Sequence, residues 1–189
     1  INDYTEENIR DAFPKTIAVL AQEGTPNADK TIFVWAAGNG GGYADQGVDY
    51  SSPEVFGGLA YLLTELSSNT AAVVSVDADG TISSFSNRCG VAKDYCLAAP
   101  GGSITSAYAQ DAPDTAYYAE FSGTSMAAPH VSGGIALLAD YFDGQLGNTE
   151  ILDRLFQTAN KTGIYSDSSI YGQGLMDLNA ATQPLGQTM

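Results

Sequence analysis

Positive charge is scarce in this chain. Its 189 residues include 7 Lys and Arg against 22 Asp and Glu, a formal net charge of −15. Nucleic acid and anionic membrane surfaces repel so acidic an exterior, so neither is an expected partner. The acidity reads instead as a well-solvated surface. No run of about 18 or more apolar residues occurs, so no segment has the length of a transmembrane helix. His130 is the one histidine, and Cys89 and Cys96 are the two cysteines. That stock does not make up a four-ligand zinc centre. Disorder is excluded by composition: 44% of residues are hydrophobic, and 21 Gly with 7 Pro is ordinary for a globular protein. The length suits one domain with a sizeable core.

The start also lacks things. No basic stretch followed by an apolar one opens the chain, and no initiator Met does. INDYTEEN reads like the middle of a longer protein, so an excised or processed piece is expected. The cysteines lie in SNRCGVAKDYCLAAPG. A local disulfide closing a small surface loop fits their spacing and implies an oxidising compartment. Two buried free thiols are the alternative.

Apolar periodicity supplies the elements. Ile9, Ala12 and Phe13 begin a pattern that Pro14 restarts as a helix, PKTIAVLAQEG, ended by Gly24. Thr31 to Ala36 is a short continuous apolar run, as in a strand enclosed on both sides in a parallel sheet. It empties into Gly38-Asn39-Gly40-Gly41-Gly42, and loops at the carboxyl ends of parallel strands are where α/β sheets place their sites. Ser51-Ser52-Pro53-Glu54 starts a helix carrying Val55, Phe56, Leu59, Leu62, Leu63 and Leu66. Ala71 to Val76 is the next buried strand. Asp77-Ala78-Asp79-Gly80 is a turn before a short strand, Thr81 to Phe85. The two Asp lack the ligand series of a calcium loop. Leu97 to Pro100 is another strand, and a polar, Tyr-rich loop spans Asp111 to Tyr118. Helices follow from Asn148-Thr149 and from Asp177, the latter as a cap. Alternating strands and helices predict an α/β domain with a parallel sheet flanked by helices.

The most informative stretch is FSGTSMAAPHVSG, Phe121 to Gly133. A loop of small residues, Ser122-Gly123-Thr124, runs into a long apolar helix, which puts Ser125 in its first turn. The backbone N–H groups there have no intrahelical partner and the helix dipole is positive. A serine so placed suits nucleophilic attack, because donors already face the oxyanion it would create. GTS alone reads as a helix cap. The whole string GTSMAAPHVSG resembles the nucleophile motif of the subtilisin-like serine proteases, and Ala36-Ala37-Gly38-Asn39 resembles that family's AAGN segment. SFSNRCG, LAAPGG and the region to Leu138 extend the likeness over most of the chain.

The resemblance implies a subtilisin-like fold, incomplete because its N-terminal strands are missing. Residues 1–189 would be the C-terminal portion of one peptidase domain acting on protein or peptide substrates. It implies Ser125 as nucleophile and Asn39 as side-chain donor to the oxyanion. Ala37 and Gly38 would form a wall of the primary substrate pocket. No cofactor is expected; calcium is frequent in the family, but no ligand set for it is legible. The family's triad runs Asp, His, Ser. His130 cannot serve as base, since five residues on one helix is about 500° of rotation, leaving it about 140° round from Ser125. It reads as a packed structural histidine. The triad Asp and His would lie upstream of Ile1, so this piece alone should not hydrolyse peptides. Exposing the edge of a truncated sheet should make it oligomerise. The cysteine loop and the closing YGQGLMDLNAATQPLG look most like passenger domains of bacterial autotransporter subtilases. That implies a secreted or surface protein with an outer-membrane barrel downstream.

Two other hydrolase readings fail. An α/β-hydrolase needs G-x-S-x-G and a later His; a chymotrypsin-like enzyme needs GDSGG. A reading from another class is a non-catalytic scaffold or binding module descended from a protease, though neither Ser125 nor Asn39 is degenerate.

Overall fold

The computed structural model of the chain describes residues 1–108 and 117–185. At its centre lie three parallel strands, β1 (Phe33–Ala36), β2 (Thr70–Val76) and β3 (Cys96–Pro100), in the order β1-β2-β3. Trp35 stands opposite Ala72, and Val74 opposite Ala98. Every residue of β2 is buried, as an interior parallel strand with covered faces requires. β1 departs from the enclosed strand expected of Thr31 to Ala36. All four of its residues are only half-buried, because β2 is its sole strand partner among the described residues. Trp35 stacks between Phe33 and Phe56, with ring centroids 6.3 and 5.1 Å away.

Helices cover the sheet. α1 (Glu6–Ala12) and α2 (Pro14–Ala21) divide at Phe13, because Pro14 has no N–H to continue the ladder. α2 stops before Gly24: Gln22 takes the left-handed turn, with φ 49°. α3 (Val55–Leu62) follows Glu54. α4 (Thr124–Phe142) runs beneath all three strands. Its buried residues Thr124, Ala127, Val131, Gly134 and Leu138 recur every three or four positions, one stripe of a helix. α5 (Asn148–Thr158), α6 (Ser168–Tyr171) and α7 (Leu178–Thr182) complete the chain. Asp177 caps α7 as expected, its carboxylate accepting from the Ala180 N–H at 2.9 Å.

Two local readings change. Asp77 to Gly80 is a turn closed by a 2.9 Å bond, but Thr81 to Phe85 is no strand. It meets β2 through one bridge, Ile82 to Val76. The Ser86 hydroxyl then takes the Ser75 N–H at 3.0 Å, so a side chain replaces the ladder. Tyr118 belongs not to a loop but to β5 (Tyr118–Phe121), antiparallel to β4 (Ile104–Ala107); the rest of the expected Tyr-rich loop, 111–116, lies outside the described residues. Cys89 and Cys96 form the expected disulfide; the bridge itself is fully buried, while the loop it closes reaches the surface at Lys93 and Asp94. The C-terminal segment returns to flank β3, with the Met176 N–H donating to Ala98 and the Ala98 N–H to Gly174, each at 2.9 Å.

Candidate active site

Two chain segments, far apart in sequence, meet at the carboxyl end of the sheet. The first leaves β1 through Ala37, Gly38 and Asn39. The second passes from β5 through Ser122 and Gly123 into α4. Gly123 is extended, and its N–H donates to the Gly101 carbonyl at 2.9 Å. The approach demands glycine at 101: a Cβ there would lie 2.7 Å from the Gly123 oxygen and 2.4 Å from the Ser75 hydroxyl. The Gly123 carbonyl then accepts from the Met126 N–H at 2.9 Å, and the helix begins. Thr124 is buried and Ser125, the second helical residue, is exposed.

Thr124 joins the two segments. Its N–H and its hydroxyl both donate to the Asn39 carboxamide oxygen, at 3.0 and 3.1 Å. The hydroxyl also accepts from the Gly38 N–H at 3.1 Å. With its oxygen engaged twice, the Asn39 carboxamide has one orientation, and its amino group stands as donor on the Gly123 side. Asn87 holds the same loop from behind. It is buried, its side-chain oxygen accepts from the Gly40 N–H at 2.7 Å, and its own N–H donates to Gly38 at 2.9 Å. Its amino group reaches the Ser52 carbonyl at 2.9 Å. Neither Thr124 nor Asn87 was singled out by sequence reasoning; each lies inside a recognised string, but its burial and its partner appear only in the fold.

Ser125 and Asn39 border one cleft of about 410 Å³, together with Ala36, Gly38, Glu54 and Thr124. Ala37 itself is wholly buried, and its backbone takes part instead: its N–H donates to Val73 and its carbonyl accepts from the Glu54 N–H at 2.8 Å. Across Ser125 a second cleft is lined by Ile104 to Ser106, Met126, Pro129 and His130. His130 thus reaches the rim of this cleft, although helical geometry sets it well round from Ser125. Its Nδ1 lies 2.8 Å from the Met126 carbonyl, one turn back, and no hydrogen bond joins it to Ser125 among the described residues. The arrangement supplies a serine hydroxyl, a fixed amide donor and helix N–H groups around one space. It supplies no base for the serine within the described residues.

Among the described residues no group of three or more His, Cys, Asp or Glu is placed to hold an ion. Asp77 accepts from the Ser83 hydroxyl at 2.6 Å, and Asp79 from the N–H and hydroxyl of Thr81 at 2.9 and 2.7 Å. The Thr81 bonds also hold the Asp79 carboxyl below its usual range. No helix among the described residues is long and apolar enough to cross a membrane.

The chain is 34% identical over 153 residues to serotype-specific antigen 1 of Mannheimia haemolytica, covering 80% of this chain and 16% of that protein. It is 37% identical to the halolysin-like extracellular serine protease Nep of Natrialba magadii, covering 82% of this chain and 24% of the relative. Among solved structures, the self-cleaved protease domain of PatA superposes with a TM-score of 0.59 at 25% identity, covering 80% of this chain and 48% of that domain. The chain therefore spans well under half the length of these curated relatives and about half of the PatA domain. The model of the Subtilase family matches residues 5–174, almost the whole described fold, and the chain belongs to that family.

Proposed function

We propose that these residues form the C-terminal portion of a serine endopeptidase domain, with Ser125 as nucleophile. The Ser125 oxygen attacks a peptide carbonyl carbon, and its proton passes to a base. The carbonyl oxygen becomes an oxyanion, met by the Asn39 amino group and the Ser125 N–H. Collapse expels the amine with that proton and leaves an acyl-enzyme, which water then hydrolyses. The observation that carries this reading is the pair of hydrogen bonds from Thr124 to Asn39, which aims an amide donor into the cleft that Ser125 borders.

The triad Asp and His come from sequence outside this chain. In support, the chain covers 48% of the matched PatA domain and contains one histidine, tied to its own helix. The substrates are proteins or peptides. The relative Nep carries "extracellular" in its name and a disulfide forms here, which favours export, to the medium or the bacterial surface. The likeness of the cysteine loop and C-terminal segment to autotransporter passengers extends this to a downstream outer-membrane barrel.

Fluorophosphonate labelling of the full-length protein tests the central claim. Label should appear on Ser125 and vanish in Ser125→Ala. Labelling that survives the substitution refutes the nucleophile. An unlabelled parent whose upstream sequence lacks an Asp and a His motif hands the fold to the alternative, a protease-derived scaffold.

A further inference from the structure

We propose that Glu54 selects a basic side chain, Lys or Arg, on the residue whose carbonyl is attacked; this rests on the serine-peptidase reading above. The position of Glu54 follows from its backbone. Pro53 precedes it, its N–H donates to the Ala37 carbonyl at 2.8 Å, and its own carbonyl accepts from Gly58 at 2.9 Å as α3 begins. The residue is thereby clamped to the end of β1, next to the loop that carries Asn39. Its side chain lies across Gly38. A Cβ on Gly38, which has φ +110°, would fall 2.6 Å from the Glu54 Oε1, so the carboxylate lies directly over this glycine.

Glu54 is the one charged residue lining the cleft shared by Ser125 and Asn39, among the described residues. It also has no ion pair: the pairs found among those residues join Arg10 to Glu6 and Arg10 to Glu65. For a substrate carbonyl held by Asn39, the proposal puts the side chain on the next carbon on the Asn39 side of Ser125, in the cleft that the two residues share. That side is bounded by Ala36, Gly38 and Glu54. The leaving side falls in the other cleft, toward Ile104 and Met126. A lysine or arginine stem running along Ala36 and Gly38 brings its cation to an uncompensated carboxylate, whereas an acidic side chain meets repulsion. Glu54 is exposed, so water competes and the preference is moderate. About tenfold is expected, as for a hydrogen bond to a charged group.

The test uses the full-length protein and peptides that differ only in the residue before the cleaved bond: Lys, Gln or Glu. The kcat/KM for Lys should exceed that for Gln by about tenfold, with Glu lowest. Glu54→Gln should bring the Lys-to-Gln ratio near one, and Glu54→Lys should invert the Lys-to-Glu order. In 1 M salt, where charges are screened beyond about 3 Å, the wild-type ratio should shrink. Fluorophosphonate labelling of the same preparations separates the two claims. Labelled enzyme with no Lys preference, or with ratios unmoved in both variants, overturns the role of Glu54 alone. Absence of Ser125 labelling overturns the peptidase reading, and the selectivity falls with it.

Discussion

Asn39 and Thr124, 85 residues apart in sequence, are joined by two hydrogen bonds to a single carboxamide oxygen. The residue directly before the proposed nucleophile thereby orients the proposed oxyanion donor. Loss of the Thr124 hydroxyl in Thr124→Val leaves Asn39 with one bond and the Gly38 N–H without its 3.1 Å acceptor. If the proposed peptidase activity holds, the full-length protein should lose about tenfold in kcat, with KM little changed, as one hydrogen bond of about 1–1.5 kcal/mol implies. Steady-state kinetics reads this directly, and a purely packing role for Thr124 would instead appear as a lower melting temperature at unchanged kcat.

Removing the donor itself should do more. Asn39→Ala is expected to lower kcat by about 10² to 10³, a range established for the corresponding donor of subtilisin, a member of this same family. Fluorophosphonate labelling would slow in parallel. A rise in KM at unchanged kcat would instead make Asn39 a contributor to uniform substrate binding.

The Cys89–Cys96 bridge closes a short loop at a fully buried position. Replacing both cysteines by alanine should destabilise the fold by about 2–3 kcal/mol, from the loop-closure entropy of so short a segment. Thermal unfolding with and without reductant would show wild type falling to the level of the double variant. Identical melting under both conditions would mean the bridge contributes nothing.

Asp49 gives the glycine-rich loop a modest acid sensitivity. Its carboxylate accepts from the Ser51 N–H at 2.9 Å and from the Asn2 side chain at 2.8 Å. The Ser51 backbone bond leads these effects, and together they hold the group at about 2, below its ordinary 3.8. A lowered folded-state pKa means the stabilisation is complete above 3.8 and is lost as pH falls through about 2. Because the group is solvent-exposed, the effect is well under about 1 kcal/mol. Asp49→Asn should flatten melting temperature against pH over that window only.

The 189-residue chain by itself should show no Ser125-dependent proteolysis, and it should self-associate. The half-buried β1 edge, with Phe33 and Trp35 on it, is an open pairing surface. Peptidase assay and light scattering of the pure chain check both halves of this. Proteolysis abolished by Ser125→Ala, or a monodisperse monomer, would contradict the corresponding half.

Contiguous motifs were legible; partners brought together by folding were not. GTSMAAPHVSG and AAGN located Ser125 and Asn39 because each motif is a local string. Asn87 bonds Gly40 across 47 residues and Thr124 bonds Asn39 across 85, and no pattern in the string announces either. TIFVWA reads as a fully enclosed strand because an apolar run does not reveal whether both neighbours are present. The β4–β5 hairpin was hidden for a related reason: ITSA and YAEF are short, and Tyr118 next to a polar stretch looks like loop. For the cysteines, spacing suggested the bridge, but only packing shows that it is interior.

The return of Gly174 to Met176 alongside β3 also decides how copies of this chain can meet. One border of the sheet is already flanked by the chain's own tail, so among the described residues the β1 border is the open one for main-chain pairing. Two copies joined there satisfy each other about a twofold axis and present no further strand to a third. Association through the three-stranded sheet therefore favours a closed pair over an open chain of copies.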